Sequence, residues 1–362
     1  MKLEHRIGQL LIIGLPGPQL DLMTRSLLQS IQPGGILLNS HNLESAAQVV
    51  ELTSAIRSLI EVPPIIAIDQ EGGRVDRLKH IYTPMPSADL LRASGDAAVA
   101  ARTGEIAAEA LRTLGINMNL APVLDIAVED AADNGLKGRY LGSSVAEVVR
   151  LAGAYLEGLQ HGGVAGAGKH FPGLGAGTID SHSQLPTIDR SRDELLRHEI
   201  APYVELFSKI NARLNTVVIA HAHYPAFDGP APLPSSLSKN IITGLLREEL
   251  GFKGLTITDD LGMGAIVAAR DLSESAVMAI EAGVDMVMVA DSTSTERATT
   301  AWETMVRAAN EARINKTHWN RAFDHLARIK SMLSPPLAYS EQAVARIRER
   351  IGELNLTLQH SK

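Results

Sequence analysis

The sequence predicts one α/β domain folded as a (β/α)8 TIM barrel, and three observations carry that prediction. Eight short apolar runs rich in β-branched residues recur along the chain, stretches with helical spacing lie between them, and glycines stand where several of those stretches should end. Strands alternating with helices favour a parallel sheet with right-handed crossovers, and a count of eight favours closure over an open sheet.

The first run, 7–14, follows Glu4, His5 and Arg6 and precedes no small-residue cleavage site, so it reads as a buried strand rather than a targeting signal. The next runs are 34–39, 65–70, 116–126, 164–171, 217–223, 255–259 and 284–290. Helices are predicted over 43–60, 97–114, 145–159, 193–210, 241–250 and 273–282, with Gly115, Gly162, Gly251 and Gly283 as stops. Helices over 293–313 and 318–333 close the outer ring. Pro335 and Pro336 then interrupt the chain before a short amphipathic helix near 341–354. The barrel is expected to occupy residues 1–333, with 334–362 as a C-terminal helical extension too small to be a second domain.

With 362 residues, 45% hydrophobic and 21% charged, the chain can bury a large core and has no disordered signature. A formal charge of -7 gives no footprint for nucleic acid. The absence of cysteine excludes disulfides, thiolate metal sites and a thiol nucleophile. No apolar stretch approaches the roughly 20 residues that span a bilayer. A soluble, cytoplasmic protein acting on a small molecule is expected, with no membrane and no obligate protein partner.

In a (β/α)8 barrel the site lies at the C-terminal ends of the strands. Five apolar runs here end in or contain polar residues: Asp69-Gln70-Glu71-Gly72-Gly73-Arg74, Asp125, Lys169-His170, His221-Ala222-His223 and Asp259-Asp260. One acid at a strand end is usually a helix cap or loop ion pair. Five such ends meeting at one barrel mouth are costly to desolvate, and that cost accompanies binding or catalysis.

The longest signal is GKHFPGLGAGTIDSHSQLP at 168–186, joined by DQEGGRV at 69–75, APVLD at 121–125 and GFKGLTITDDLGM at 251–263. In content and order these segments resemble glycoside hydrolase family 3, specifically its single-domain bacterial β-N-acetylglucosaminidase branch. The resemblance spans nearly the whole barrel and implies a retaining exo-β-N-acetylglucosaminidase. Such an enzyme needs a nucleophile on one face of the anomeric carbon and a proton donor at the leaving oxygen. By likeness to the family's Thr-Asp motif, Asp259 is the nucleophile and Asp260 fixes the turn or caps a helix; periodicity does not choose between them, because both faces of a barrel strand are buried. His182 and Asp180 match the family's acid/base pair, the aspartate fixing the imidazole tautomer. Asp69, Arg77, Arg139, Lys169 and His170 match its sugar-binding positions. His221 lines the pocket or is a satisfied core histidine, and Asp125 is expected to be structural.

The implied chemistry needs no metal or organic cofactor, and the implied substrate is a sugar or muropeptide from cell-wall recycling. The sequence departs from the pattern at Leu174, where a second His is common, at Ala176-Gly177 in place of Asp-Thr, and at Tyr140-Leu141 in place of Ser-Phe. These departures bear on loop behaviour and leaving-group preference. A β-N-acetylglucosaminide phosphorylase on the same scaffold is the serious rival. More distant ones are a metal-dependent amidohydrolase using His221 and His223, a Schiff-base aldolase using Lys169, and a non-catalytic sugar-binding barrel.

Overall fold

The computed structural model describes residues 1–128, 134–291 and 293–360. Its barrel strands are β1 (Leu11–Gly14), β2 (Gly35–Leu38), β3 (Ile65–Ile68), β4 (Met118–Asn119), β5 in two segments (Ala165–Gly166 and Gly168–Phe171), β6 (Thr216–Ile219), β7 (Leu255–Asp260) and β8 (Met286–Val289). Every pairing among them is parallel, and the hydrogen-bonded order runs β5-β4-β3-β2-β1-β8-β7-β6-β5. The ring closes through β5 itself, whose first segment pairs with β4 and whose second pairs with β6.

Side chains alternate along each strand between two buried environments, because the period is two. Ile12, Leu37, Ile65, Ala67, Met118, Leu120, Ala167, Val218, Leu255, Ile257, Met286 and Met288 form one cluster inside the barrel. Their neighbours Leu11, Ile13, Ile36, Ile66, Val217, Ile219, Val287 and Val289 belong to the cluster shared with the helices. Continuing this alternation past the strand ends brings Asp69, Lys169 and Asp259 to the inner face, and Asp260 and His221 to the outer.

The predicted helices are present as Ala46–Leu59, Ala97–Thr113, Val145–His161, Leu272–Ala282, Glu296–Asn310 and Lys316–Met332. The helix predicted over 241–250 is a π-helix, Asn240–Glu249. Gly115, Gly251 and Gly283 adopt positive φ, the left-handed conformation that stops a helix and favours glycine.

Four expectations are corrected. The run 7–14 is not one strand: Leu3–Gly8 is helical and β1 starts at Leu11. The predicted helix 193–210 is two, Arg192–Arg197 and Ala201–Ser208, because Pro202 is tolerated only in a first turn. The run 116–126 is regular strand only over β4; Pro122, which lacks an N–H, interrupts it, and beyond it only an isolated parallel bridge joins Val123 to Lys169. The C-terminal helix is longer than expected, Glu341–His360, and residues 361 and 362 lie outside the described residues. Helices Leu22–Ile31 and Ala88–Ser94, capped by Asp21 and Ser87, escaped the periodicity reading.

Val344, Ile347, Ile351, Leu354 and Leu358 of the C-terminal helix are buried in the common core cluster, and Arg346 and Arg350 pair with Glu109 of helix Ala97–Thr113. We propose that this extension is part of the folding unit. Ile347→Ala is expected to lower unfolding free energy by about 2–4 kcal/mol in a denaturant titration. Among the described residues no helix is long and apolar enough to cross a membrane.

Candidate active site

A cleft of about 260 Å³ opens at the C-terminal ends of the strands, and Asp69, Arg77, Arg139, Lys169, His170, Asp180, His182 and Asp259 all line it. Leu120 and Val218, from the inward-facing cluster, contribute apolar lining, and Glu71, Arg74, Val75 and Gly135 complete it. The eight residues matched to catalytic or sugar-binding positions thus reach one place, while the strand-end residues Asp125, His221, His223 and Asp260 do not line it.

One wall is an ion network. Lys169 Nζ lies 2.5 Å from Asp69 Oδ1 and 2.6 Å from Glu71 Oε1, while Arg139 makes a two-pronged pair with Glu71 at 2.8 Å for each contact. Two carboxylates balance two cations, which is what makes burial of all four tolerable. Burial pushes the Glu71 carboxyl up, but Lys169 and Arg139 outweigh it and hold the pKa at about 2. Burial likewise pulls Lys169 down, and Asp69 and Glu71 more than reverse it. Lys169 is therefore a firm ammonium. The Nε of Arg77 is buried without a partner among the described residues.

Next to this wall, His170 Nδ1 lies 2.7 Å from Asp125 Oδ2, and the other oxygen of Asp125 accepts the Leu174 amide at 2.6 Å. Asp125 is buried and faces these groups, so it acts as a support for His170 and for the start of the following loop.

Asp259 caps the inner face of β7, and one of its oxygens accepts the Asp260 amide at 2.9 Å. Burial raises its pKa, yet His170, His221, that amide and Lys169 together hold it below the ordinary value. The result is an ionised carboxylate in a tight, positively biased setting. Asp260 points the other way: its Oδ1 accepts the amides of Gly262 and Ala290, fixing the turn after β7. His221 is fully buried, with Nδ1 at 2.8 Å from Ser236 Oγ and Nε2 at 3.0 Å from Asp260 O. Of its two readings from sequence, the satisfied core histidine is the one observed.

Asp180 and His182 sit on the loop that follows β5. Asp180 Oδ1 receives both the His182 amide (2.9 Å) and its ring Nδ1 (2.7 Å), with the His182 side chain 69% exposed. Partial burial raises the Asp180 pKa, but the bonds from His182 and the charge of Arg139 bring it below the ordinary value. An ionised Asp180 keeps a proton on Nδ1 and leaves Nε2 as the working nitrogen. The loop is docked, since the amides of Gly264 and Ala265 donate to the carbonyls of His182 and Ser181. The segment bearing Asp259 thereby holds the segment bearing His182.

The sequence matches the Glycosyl hydrolase family 3 N terminal domain over residues 2–329. The chain belongs to glycoside hydrolase family 3. A protein named Beta-hexosaminidase from Alkalilimnicola ehrlichii is 37% identical over 285 residues, covering 77% of this chain and 80% of the relative. Another of that name from Idiomarina loihiensis is 34% identical, covering 77% and 83%. Among solved structures, a glycoside hydrolase family 3 β-N-acetylglucosaminidase from a Paenibacillus species superposes with a TM-score of 0.88 at 35% identity, covering 98% of this chain and 69% of that one.

Within this family 3 barrel, Glu71 is the main residue that sequence reasoning passed over. The signal was present: it stands in the same strand-end run as Asp69, two residues on. Arg74 also lines the cleft, bonded to Lys137 O at 2.9 Å. Two of the rival readings, the amidohydrolase and the aldolase, lose their footing in the geometry. His221 and His223 are both buried and neither lines the cleft, so they do not present a pair of ring nitrogens to it. An amine clamped between two carboxylates is a poor Schiff-base nucleophile.

Proposed function

We propose that this chain is a retaining exo-β-N-acetylglucosaminidase that removes terminal β-linked N-acetylglucosamine through a glycosyl-Asp259 intermediate. The observation that carries this reading is the meeting, in one small cleft, of an ionised carboxylate held by charge and an Asp180–His182 pair with a free ring nitrogen. The names of the relatives, Beta-hexosaminidase and β-N-acetylglucosaminidase, support the sugar assigned.

In the first half-reaction an Asp259 oxygen bonds to the anomeric carbon, the glycosidic C–O bond breaks, and the proton on His182 Nε2 passes to the departing oxygen. In the second, His182 takes a proton from water, the hydroxide displaces Asp259, and the sugar leaves with its configuration retained. Asp69, Lys169, His170, Arg139 and Arg77 would hold the ring hydroxyls, as charge-assisted bonds do well in a small cavity. The size of the cleft suits a single terminal sugar. We infer a muropeptide-derived substrate in the cytoplasm, on likeness to the family branch.

Trapping with a fluorinated N-acetylglucosamine donor, followed by peptide mass spectrometry, is expected to label Asp259, and a label elsewhere would overturn the assignment. Incubation in phosphate buffer distinguishes free sugar, the expected product, from the sugar 1-phosphate that a phosphorylase would release. His182→Ala is expected to slow substrates with poor leaving groups by roughly 10²–10⁴-fold and activated aryl substrates far less in the glycosylation step. Equal losses for both would remove His182 as the acid.

A further inference from the structure

The His182 loop is exposed at its tip and has little regular structure of its own, yet acid catalysis requires the ring nitrogen at a fixed place over the cleft. One anchor lies outside the residues assigned so far. Asn134, 2% exposed, sits beneath the first part of the loop, with its Nδ2 at 3.1 Å from Gly175 O and 3.4 Å from Leu174 O. Its Oδ1 accepts the Leu136 amide at 3.1 Å, and the Tyr140 hydroxyl lies 3.1 Å from Nδ2 and 3.2 Å from Oδ1. The carboxamide is thus held at its oxygen end, which aims the nitrogen at the loop carbonyls.

Its neighbour touches the far side of the same loop. Gly135 has φ +81°, and a Cβ there would lie 2.9 Å from the Asp180 carboxyl carbon, so its bare backbone abuts the partner of His182. The carbonyl of Gly135 accepts Arg139 Nη1, and Arg139 is paired to Glu71 in the sugar-binding wall. The stretch from Asn134 to Arg139 therefore connects that wall to the loop at two points. The sequence departures fall on this device: Tyr140 steadies Asn134, while the buried Leu174 offers its carbonyl to Asn134.

We infer that Asn134, oriented by Tyr140, is a positioning residue that fixes the Asp180–His182 loop over the cleft for proton transfer to the leaving group. This rests on the reading of His182 as the acid.

The test compares Asn134→Asp, Asn134→Ala and Tyr140→Phe with His182→Ala. Substrates are aryl N-acetylglucosaminides of graded leaving-group pKa, with thermal melting and N-acetylglucosamine inhibition measured alongside. Asn134→Asp keeps the acceptor for Leu136 and Tyr140 but removes the donor to the loop. Asn134→Asp and Asn134→Ala are expected to slow poor leaving groups by roughly 10- to 100-fold, as expected for a misplaced catalytic group. Good leaving groups and inhibition by the free sugar should change less than about threefold, because the wall residues are untouched. Tyr140→Phe should show the same pattern in weaker form. If His182→Ala steepens the leaving-group dependence and none of the three variants does, the positioning role is wrong. Parallel loss on all substrates together with lowered melting would assign Asn134 a purely structural part and also overturn it. If His182→Ala itself shows no steepening, the acid/base reading fails and this inference fails with it.

Discussion

Asp259→Ala is expected to lower kcat for an aryl β-N-acetylglucosaminide by roughly 10⁴-fold or more, the scale on which loss of a nucleophile or its activating group is felt. Among the described residues no neighbouring carboxylate is free to stand in. Asp69 and Glu71 are bound to Lys169, Asp180 is bound to His182, and Asp260 is turned to the outer face and engaged by two amides. Binding should survive better than turnover, since none of the ion pairs of the wall is made to Asp259. Steady-state kinetics with inhibition by N-acetylglucosamine separates the two. Asp260→Ala is a useful contrast, because its loss frees the amides of Gly262 and Ala290 and should appear first as reduced stability.

Glu71→Ala is expected to destabilise the fold by about 3–5 kcal/mol at neutral pH, because it strips Arg139 of its carboxylate partner and leaves the two buried cations, Arg139 and Lys169, with Asp69 alone. Sugar binding should fall with it, as Lys169 loses one of the two carboxylates that fix its ammonium. The pH dependence carries a sign. The Glu71 carboxyl is depressed from 4.5 to about 2, so its contribution is complete above the unfolded value and is lost as pH falls from about 4.5 towards 2. The stability gap between wild type and Glu71→Ala, read from denaturant midpoints, should therefore narrow across that window. A gap that stayed constant to pH 2 would show that packing, not charge, is what Glu71 supplies.

Much of the site was legible in the sequence because a barrel gathers its strand ends at one mouth, so that polar residues closing apolar runs must meet. Asp69, Lys169, His170 and Asp259 were found this way, with roles supplied by the family resemblance. The choice between Asp259 and Asp260 was not open to periodicity, since residues on both sides of β7 are buried. In the structure the alternation has a reference: Leu255 and Ile257 face inward, and Asp259 continues their row. The fate of His221 was hidden for the same reason, because a histidine at a strand end is compatible with either face until Ser236, 15 positions later, is seen to meet it. Asn134 had no periodic signal at all. It lies in a connection, and its partners on the His182 loop are main-chain carbonyls that any residue could offer. The split of the helix predicted over 193–210 was readable from Pro202, but the apolar spacing on both sides outweighed it.

The two segments of β5 give the ring a seam, and the seam is also the shelf on which Lys169 and His170 rest. Lys169 lies just past that junction, its amide donating to Pro122 O at 3.2 Å and its carbonyl accepting from Leu124 at 2.6 Å. A slip of one residue there would turn Lys169 from the interior to the helix side and strand two carboxylates. Correct alignment in closing the barrel and assembly of the ion-paired wall are thus a single variable, and the two partners of Lys169 are supplied from about 100 residues upstream. During folding, ligand binding at this wall should appear only once β5 is aligned with its neighbours, which makes it a stopwatch for ring closure.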